Sequence, residues 1–307
     1  MDKNIKLLII GVSGLFVLLI LLVGVIIMIG PIGPIFGGTV AVIPVQGEIS
    51  YVSPDIFGGS VANPDTVIDQ IRNAEEDPTI SAILLDINSH GGTPVASTEI
   101  MEAVRNCSKP IVAWISDTGV SGAYLVASGA DKVVASRSSW VGSIGVILTL
   151  TDLSELYEAL GVDRYSIKAG RFKDMGADYR SLTSEEKQML QDMINEEHNN
   201  FISIIAENRR LDINHVRSLA EGQIFTGAQA KELRLIDETG GKDRALDIAA
   251  ELGGIREPYE VVTMTEPQTI EDILTGLSSK LGYYVGRGIG SVIKGSIIKN
   301  DLLNGGS

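Results

Sequence analysis

Apolar residues fall into two kinds of run along this chain. The first is continuous: residues 7–29, LLIIGVSGLFVLLILLVGVIIMI, carry no charge, and at ~1.5 Å of helical rise per residue they exceed the ~30 Å apolar core of a bilayer. The pattern predicts a transmembrane helix, so residues 1–30 are expected to form a cytoplasmic amino terminus and anchor. A cleaved leader has a shorter apolar stretch of ~7–15 residues and a small-residue exit, which this segment lacks. Lys3 and Lys6 precede the span and the first charge after it is Glu48. That asymmetry predicts an amino terminus in the cytoplasm and the rest of the chain outside the cell membrane. Residues 31–38, PIGPIFGG, hold two prolines and three glycines and are expected to be a linker.

The second kind of run is short. Residues 40–45 (VAVIPV), 82–87 (AILLDI), 111–115 (IVAWI) and 132–135 (KVVA) are apolar and rich in β-branched side chains, as buried strands require. Helical patterns lie between them: one opens at Asn63-Pro64-Asp65 and runs toward Glu76, another runs from Pro94 to about Arg105, and a third begins near Ser121. Strands alternating with helices at this spacing predict an α/β layer structure with parallel pairing. Residues 184–210 read as one long helix, capped by Thr183 or Ser184, with Glu185 and Glu186 in its first turn and Met189, Met193, Phe201 and Ile205 mainly on its apolar face. Short helices are expected at 212–222, 227–233 and 241–252, and a strand at 259–264. The folded domain is thus bounded at 39–266. Residues 267–307 mix apolar residues and glycine with Lys280, Arg287, Lys294 and Lys299, with no acid between Asp272 and Asp301, and read as an amphipathic or flexible tail.

Charge and composition narrow the function. A net charge of −14 argues against nucleic acid, whose phosphates are bound by lysine and arginine. The single cysteine, Cys107, rules out an internal disulfide, and His90, His198 and His215 show no ligand spacing, so neither a metal nor another cofactor is expected.

Candidate chemistry sits in three small-residue segments: NSHGG (88–92), GVSGAY (119–124) and KAGRFKD (168–174). The Gly91 and Gly92 amides are placed to form an oxyanion site. Ser121, between glycines at the start of a helix, is the candidate nucleophile, although the same GVSG at 11–14 lies inside the predicted span. A base is then needed. His90 is the one histidine near a glycine turn, but the G-x-S-x-G elbow is broken by Ala123. The alternative is a lysine, whose ordinary pKa of ~10.4 must fall toward ~7–8 by desolvation. Lys168 and Lys173 lie in YSIKAGRFKDMG, read as a strand leading into a glycine turn, with Lys173 expected to point inward and Asp174 beside it as a carboxylate that would hold it charged.

Four ordered blocks resemble one family. DINSHGG, GVSGAYLVASGADKVVASRSSWVGSIGVI (119–147), IKAGRFKDMGADYRSLTSEE (167–186) and EGQIFTGAQAKELRLIDETGG (221–241) are similar to the signal peptide peptidase A (SppA) family, over most of residues 39–252. The resemblance implies a Clp/crotonase-like fold of stacked β-β-α units and a serine–lysine dyad that cleaves peptide bonds. It maps Ser121 onto the nucleophile and Lys173 onto the general base; in the mechanism expected from that pair, the Gly92 and Gly122 amides hold the oxyanion. It also implies a homo-oligomeric ring, in which the serine and lysine sometimes meet across a subunit boundary, and hydrophobic peptides near the membrane, such as remnant signal peptides, as substrates. A single-target protease of the stomatin-associated type and an inactive peptide-binding scaffold are the alternatives. The sequence departs from the pattern at His90, where the S-P-G-G turn has proline, at Val120, and at Ala123, which replaces a glycine. Gly142-Ser143-Ile144-Gly145 matches a block expected to support the nucleophile, and Tyr179 and Arg180 match a segment expected to be structural.

Overall fold

The computed structural model describes residues 38–52 and 60–264. The predicted anchor, the linker up to residue 37 and the tail lie outside the described residues.

The apolar runs become a largely parallel sheet. Its strands are β1 (Thr39–Ile49), β2 (Val61–Ala62), β3 (Ile80–Gly92), β4 (Ile111–Val120), β5 (Lys132–Ala135), β6 (Trp140–Gly142), β7 (Ile224–Thr226), β8 (Glu238–Thr239) and β9 (Glu260–Thr263). The order β2-β1-β3-β4-β5-β8 forms the main path; β9 pairs with β1, β6 with β4, and β7 runs antiparallel to β6. The helices are α1 (Pro64–Glu76), α2 (Pro94–Asn106), α3 (Gly122–Ser128), α4 (Ser154–Ala159), α5 (Ser184–Arg209), α6 (Ile213–Ser218), α7 (Gly227–Glu232) and α8 (Lys242–Leu252). The expected mixed α/β architecture is present.

Strand periodicity explains why both faces are covered. Ala41, Ile43 and Val45 of β1, with Ile83, Leu85 and Ile87 of β3, join α1, α2, α3 and the second half of α5 in one core. Their neighbours Val40, Val42, Ala82 and Leu84 face the other way, onto Ala245, Ile248 and Ala249 of α8. Side chains alternate across a strand, so a parallel sheet buried on both faces reads as an unbroken apolar run. Each fully buried leucine or isoleucine contributes about 1.5–3 kcal/mol. Helix entry is set locally: the Asn63 side chain accepts from the amides of Asp65 and Thr66, and Thr183 and Glu186 close a reciprocal capping box on α5.

Three expectations are corrected. NSHGG is not a turn after a strand but the end of β3 itself, kinked by a register shift between Ile87 and Ser89. Residues 162–168 form no strand; they are irregular and exposed, since no strand of the described residues runs beside them to take their hydrogen bonds. On α5, Phe201 and Ile205 are buried, but Met193 is 62% exposed. Among the described residues no core cluster lies beneath the first half of this helix, so its apolar spacing finds no partner there.

Candidate active site

β4 delivers the chain to Ser121, which sits at φ 54° and ψ −129°. A residue with a side chain is held in such a conformation at a cost of about 1–3 kcal/mol, and only when its surroundings fix it. Here both sides of the peptide are tied. The Ser121 amide donates to the Gly142 carbonyl at 2.8 Å, and its own carbonyl accepts from the amides of Tyr124 and Leu125. The Tyr124 hydroxyl donates to the Leu235 carbonyl at 2.7 Å, pinning α3 from inside the core. The Ser121 hydroxyl makes no cap bond to α3, which leaves it free for chemistry.

The glycines are there because the backbones touch. A Cβ at Gly122 would stand 2.2 Å from Ser97 Oγ and 3.2 Å from the Gly92 nitrogen; one at Gly92 would stand 1.8 Å from the Ile49 carbonyl oxygen. A Cβ at Gly91 would stand 2.7 Å from the Gly122 nitrogen. The segments of Gly91–Gly92 and Ser121–Gly122 are thus pressed together. The Gly91 amide is already engaged, donating to Ser89 Oγ at 3.0 Å. Gly142 and Ser143, both at positive φ, turn the chain so that the Gly142 carbonyl reaches Ser121 while the Ser143 amide bonds the Gln223 carbonyl. The G-S-I-G block therefore supports the serine's backbone.

Two cavities meet at Ser121. One, of about 140 Å³, is bounded by Gly92, Ser97, Gly122, Leu125, Glu197 and Phe201 among others. The second, about 610 Å³ and more open, is bounded by Glu48, His90, Gly91 and Gly92. His90 stays exposed on this second side. Sequence reading missed Ser97, Glu197 and Phe201 as site residues. Pro94 opening α2 three residues before Ser97 was the available signal, because it makes α2 start beside the glycine pair.

Lys173 lies elsewhere: it lines neither cavity and is exposed, in a turn where its amide donates to the Gly170 carbonyl. Asp174 does not pair with it. That carboxylate is taken by the Arg180 guanidinium at 2.7 Å, by the Lys168 ammonium and by the Tyr179 hydroxyl. Arg180 first, then Lys168, hold Asp174 far below the usual carboxylate range. Arg180 also clasps Glu186 with two nitrogens, at 2.7 and 2.9 Å. Tyr179 and Arg180 thereby bind the Lys173 turn to the start of α5, a structural role. Among the described residues the Lys173 ammonium has no hydrogen bond and no ion pair.

Residues 103–256 match peptidase family S49. A putative protease of Methanocaldococcus jannaschii is 37% identical over 267 residues, 85% of each chain. A putative signal peptide peptidase SppA of Enterococcus faecium is 33% identical over 63% of this chain and 57% of its own length. Protease 4 of Salmonella typhi is 30% identical over 80% of this chain, which spans 40% of it. A solved membrane-bound stomatin-specific protease overlays on 75% of the chain at 12% identity and a TM-score of 0.49, too distant to bear on assembly or substrate. With a free serine hydroxyl on a fixed backbone corner and the match spanning that corner, the chain belongs to peptidase family S49 and is a serine peptidase.

Proposed function

We propose that this chain is a membrane-anchored endopeptidase of Clp/crotonase-like fold, with Ser121 as nucleophile, Lys173 as general base, and the Gly92 and Gly122 amides as the oxyanion site. The observation that carries the reading is the free Ser121 hydroxyl beside two glycine backbones at the junction of two cavities. The uncharged Lys173 amine takes the Ser121 proton as Oγ attacks the peptide carbonyl carbon. The tetrahedral oxyanion is held by backbone N–H groups. The Lys173 ammonium then protonates the leaving amine, and an acyl-enzyme ester remains. Water, deprotonated by the same amine, releases the acid product.

Lys173 lies away from the Ser121 cavities within one chain, so the base is supplied by a neighbouring protomer. The segment that bears it supports this: Ile167 is 97% exposed, and Leu160 and Tyr165 of the same segment are open. An apolar surface of this kind is covered by a partner in most proteins, and a ring of identical chains in a head-to-tail order is the arrangement proposed. Covering Lys173 in that interface favours its neutral form. The uncharged run at 7–29 supports an anchor in the cell membrane, with the catalytic domain outside the cytoplasm and hydrophobic, membrane-proximal peptides such as remnant signal peptides as substrates.

The test is hydrolysis of a fluorogenic peptide together with labelling by a serine-reactive fluorophosphonate. Labelling confined to Ser121, with loss of cleavage in Lys173→Ala, is expected. Labelling elsewhere, or full activity in Lys173→Ala, refutes the dyad.

A further inference from the structure

The smaller cavity beside Ser121 carries a polar signature that a pocket for purely apolar side chains does not need. Its walls are apolar: Pro94, Leu125, Val146 and Phe201. Two groups break this lining. Ser97 is 0% exposed and its Oγ finds no hydrogen-bond partner among the described residues. A buried hydroxyl left unpaired is costly, and an occupant able to hydrogen-bond would relieve it. Glu197 is the one ionisable side chain on the cavity. It stands one turn before Phe201 on α5, on the same helix face. No hydrogen bond or ion pair to its carboxylate is found among the described residues.

We propose that this cavity receives a lysine or arginine side chain of the substrate, immediately preceding the scissile bond, with Glu197 pairing the cation and Ser97 accepting a further hydrogen bond. The methylene stem of such a side chain packs on the apolar walls while its charged head meets the carboxylate. The cavity opens at Ser121 and at Gly122, whose backbone crowds Ser97. A side chain entering it therefore brings its own carbonyl to the serine. This inference rests on Ser121 being the nucleophile and names the class of residue cut: apolar peptides are cleaved after their basic residues rather than within their apolar runs.

The experiment uses the full-length protein in detergent and peptides identical except at the residue before the cleaved bond: lysine, arginine, norleucine or glutamate. Wild type is expected to cleave the lysine and arginine peptides with kcat/KM about 10- to 100-fold above norleucine, the range of a charge-assisted hydrogen bond. Glu197→Gln brings that ratio near one by lowering cleavage of the lysine and arginine peptides, and Glu197→Lys shifts preference toward glutamate. A norleucine preference in wild type, or a ratio unchanged in Glu197→Gln, overturns the proposal. Binding of the same peptides to the Ser121→Ala chain, read by fluorescence anisotropy, separates the pocket from the chemistry. Selective binding of lysine and arginine peptides that disappears in Ser121→Ala/Glu197→Gln supports the pocket even if wild type hydrolyses nothing, an outcome that removes the nucleophile reading alone. Equal or undetectable binding of all peptides overturns the pocket.

Discussion

The surroundings of Ser121 and those of Lys173 are built on opposite principles. Ser121 stands on a corner fixed by backbone hydrogen bonds, against glycines with no room for a methyl group, over a helix whose residues are all buried. Lys173 stands in an exposed turn tied to α5 by a charged clasp, within a segment whose isoleucines and leucines face solvent. One half is finished by the chain's own folding. The other displays an apolar surface and an ammonium that none of the described residues pairs or covers. Catalytic groups need to be held within a fraction of an ångström, so under the proposed dyad the second half acquires its precision from contact with another copy.

The largest effect tests the two halves together. Ser121→Ala and Lys173→Ala are each expected to lower kcat about 10⁴-fold or more, without loss of the folded state by circular dichroism. Unfolding and remixing the two dead variants in equal amounts then separates the arrangements. A dyad shared between neighbours in a ring regains about a quarter of the sites, whereas a dyad within one chain regains none.

Gly92→Ala probes the finished half. Its Cβ has no place beside the Ile49 carbonyl, and the expected cost is about 1–3 kcal/mol of stability with cleavage falling at least about 100-fold as the oxyanion donors shift. Full activity would show that the glycine backbones do not hold the oxyanion. Ile167→Asp probes the exposed half. The thermal midpoint of the isolated protomer should move by less than about 2 °C, while light scattering shows smaller assemblies and activity falls with them. Intact assemblies would remove this segment from the interface.

The smallest effect concerns the clasp. The Arg180 guanidinium, then the Thr183 amide, hold the Glu186 carboxyl down to about 2 from an ordinary 4.5. A depressed carboxylate lends stability that is complete above its unfolded value and lost as pH falls through its folded one. Melting points of wild type should therefore drop between pH 4.5 and 2 more steeply than those of Glu186→Gln. Parallel curves would mean that the clasp adds nothing.

How much of this was legible in the sequence follows the same division. Strands β1, β3, β4 and β5 and helices α1 and α2 were readable, because burial on both faces leaves unbroken apolar runs and Asn63, Pro64 and Pro94 mark helix starts. Ser121 needed its neighbouring blocks, since the same four residues recur at 11–14. The short strands β6, β7 and β8 were not readable, because two or three residues carry no period. Residues 162–168 and the first half of α5 misled for a different reason: their apolar spacing has no counterpart among the described residues, and periodicity alone does not say what an apolar face packs against. Ser97 and Glu197 were hidden because a cavity is assembled from α2, α3 and α5 together, and no local string encodes it.

With Ser121 as the proposed nucleophile, its backbone corner also decides which nucleophiles this scaffold accepts. A positive φ crowds a β-branched side chain more than an unbranched one, so threonine, equal to serine in hydroxyl chemistry, is excluded by shape, whereas cysteine fits the same corner. Replacement by glycine should make the protein harder to unfold while silencing it. At this position the strain that fixes the serine is also a filter on the side chains that mutation can place there.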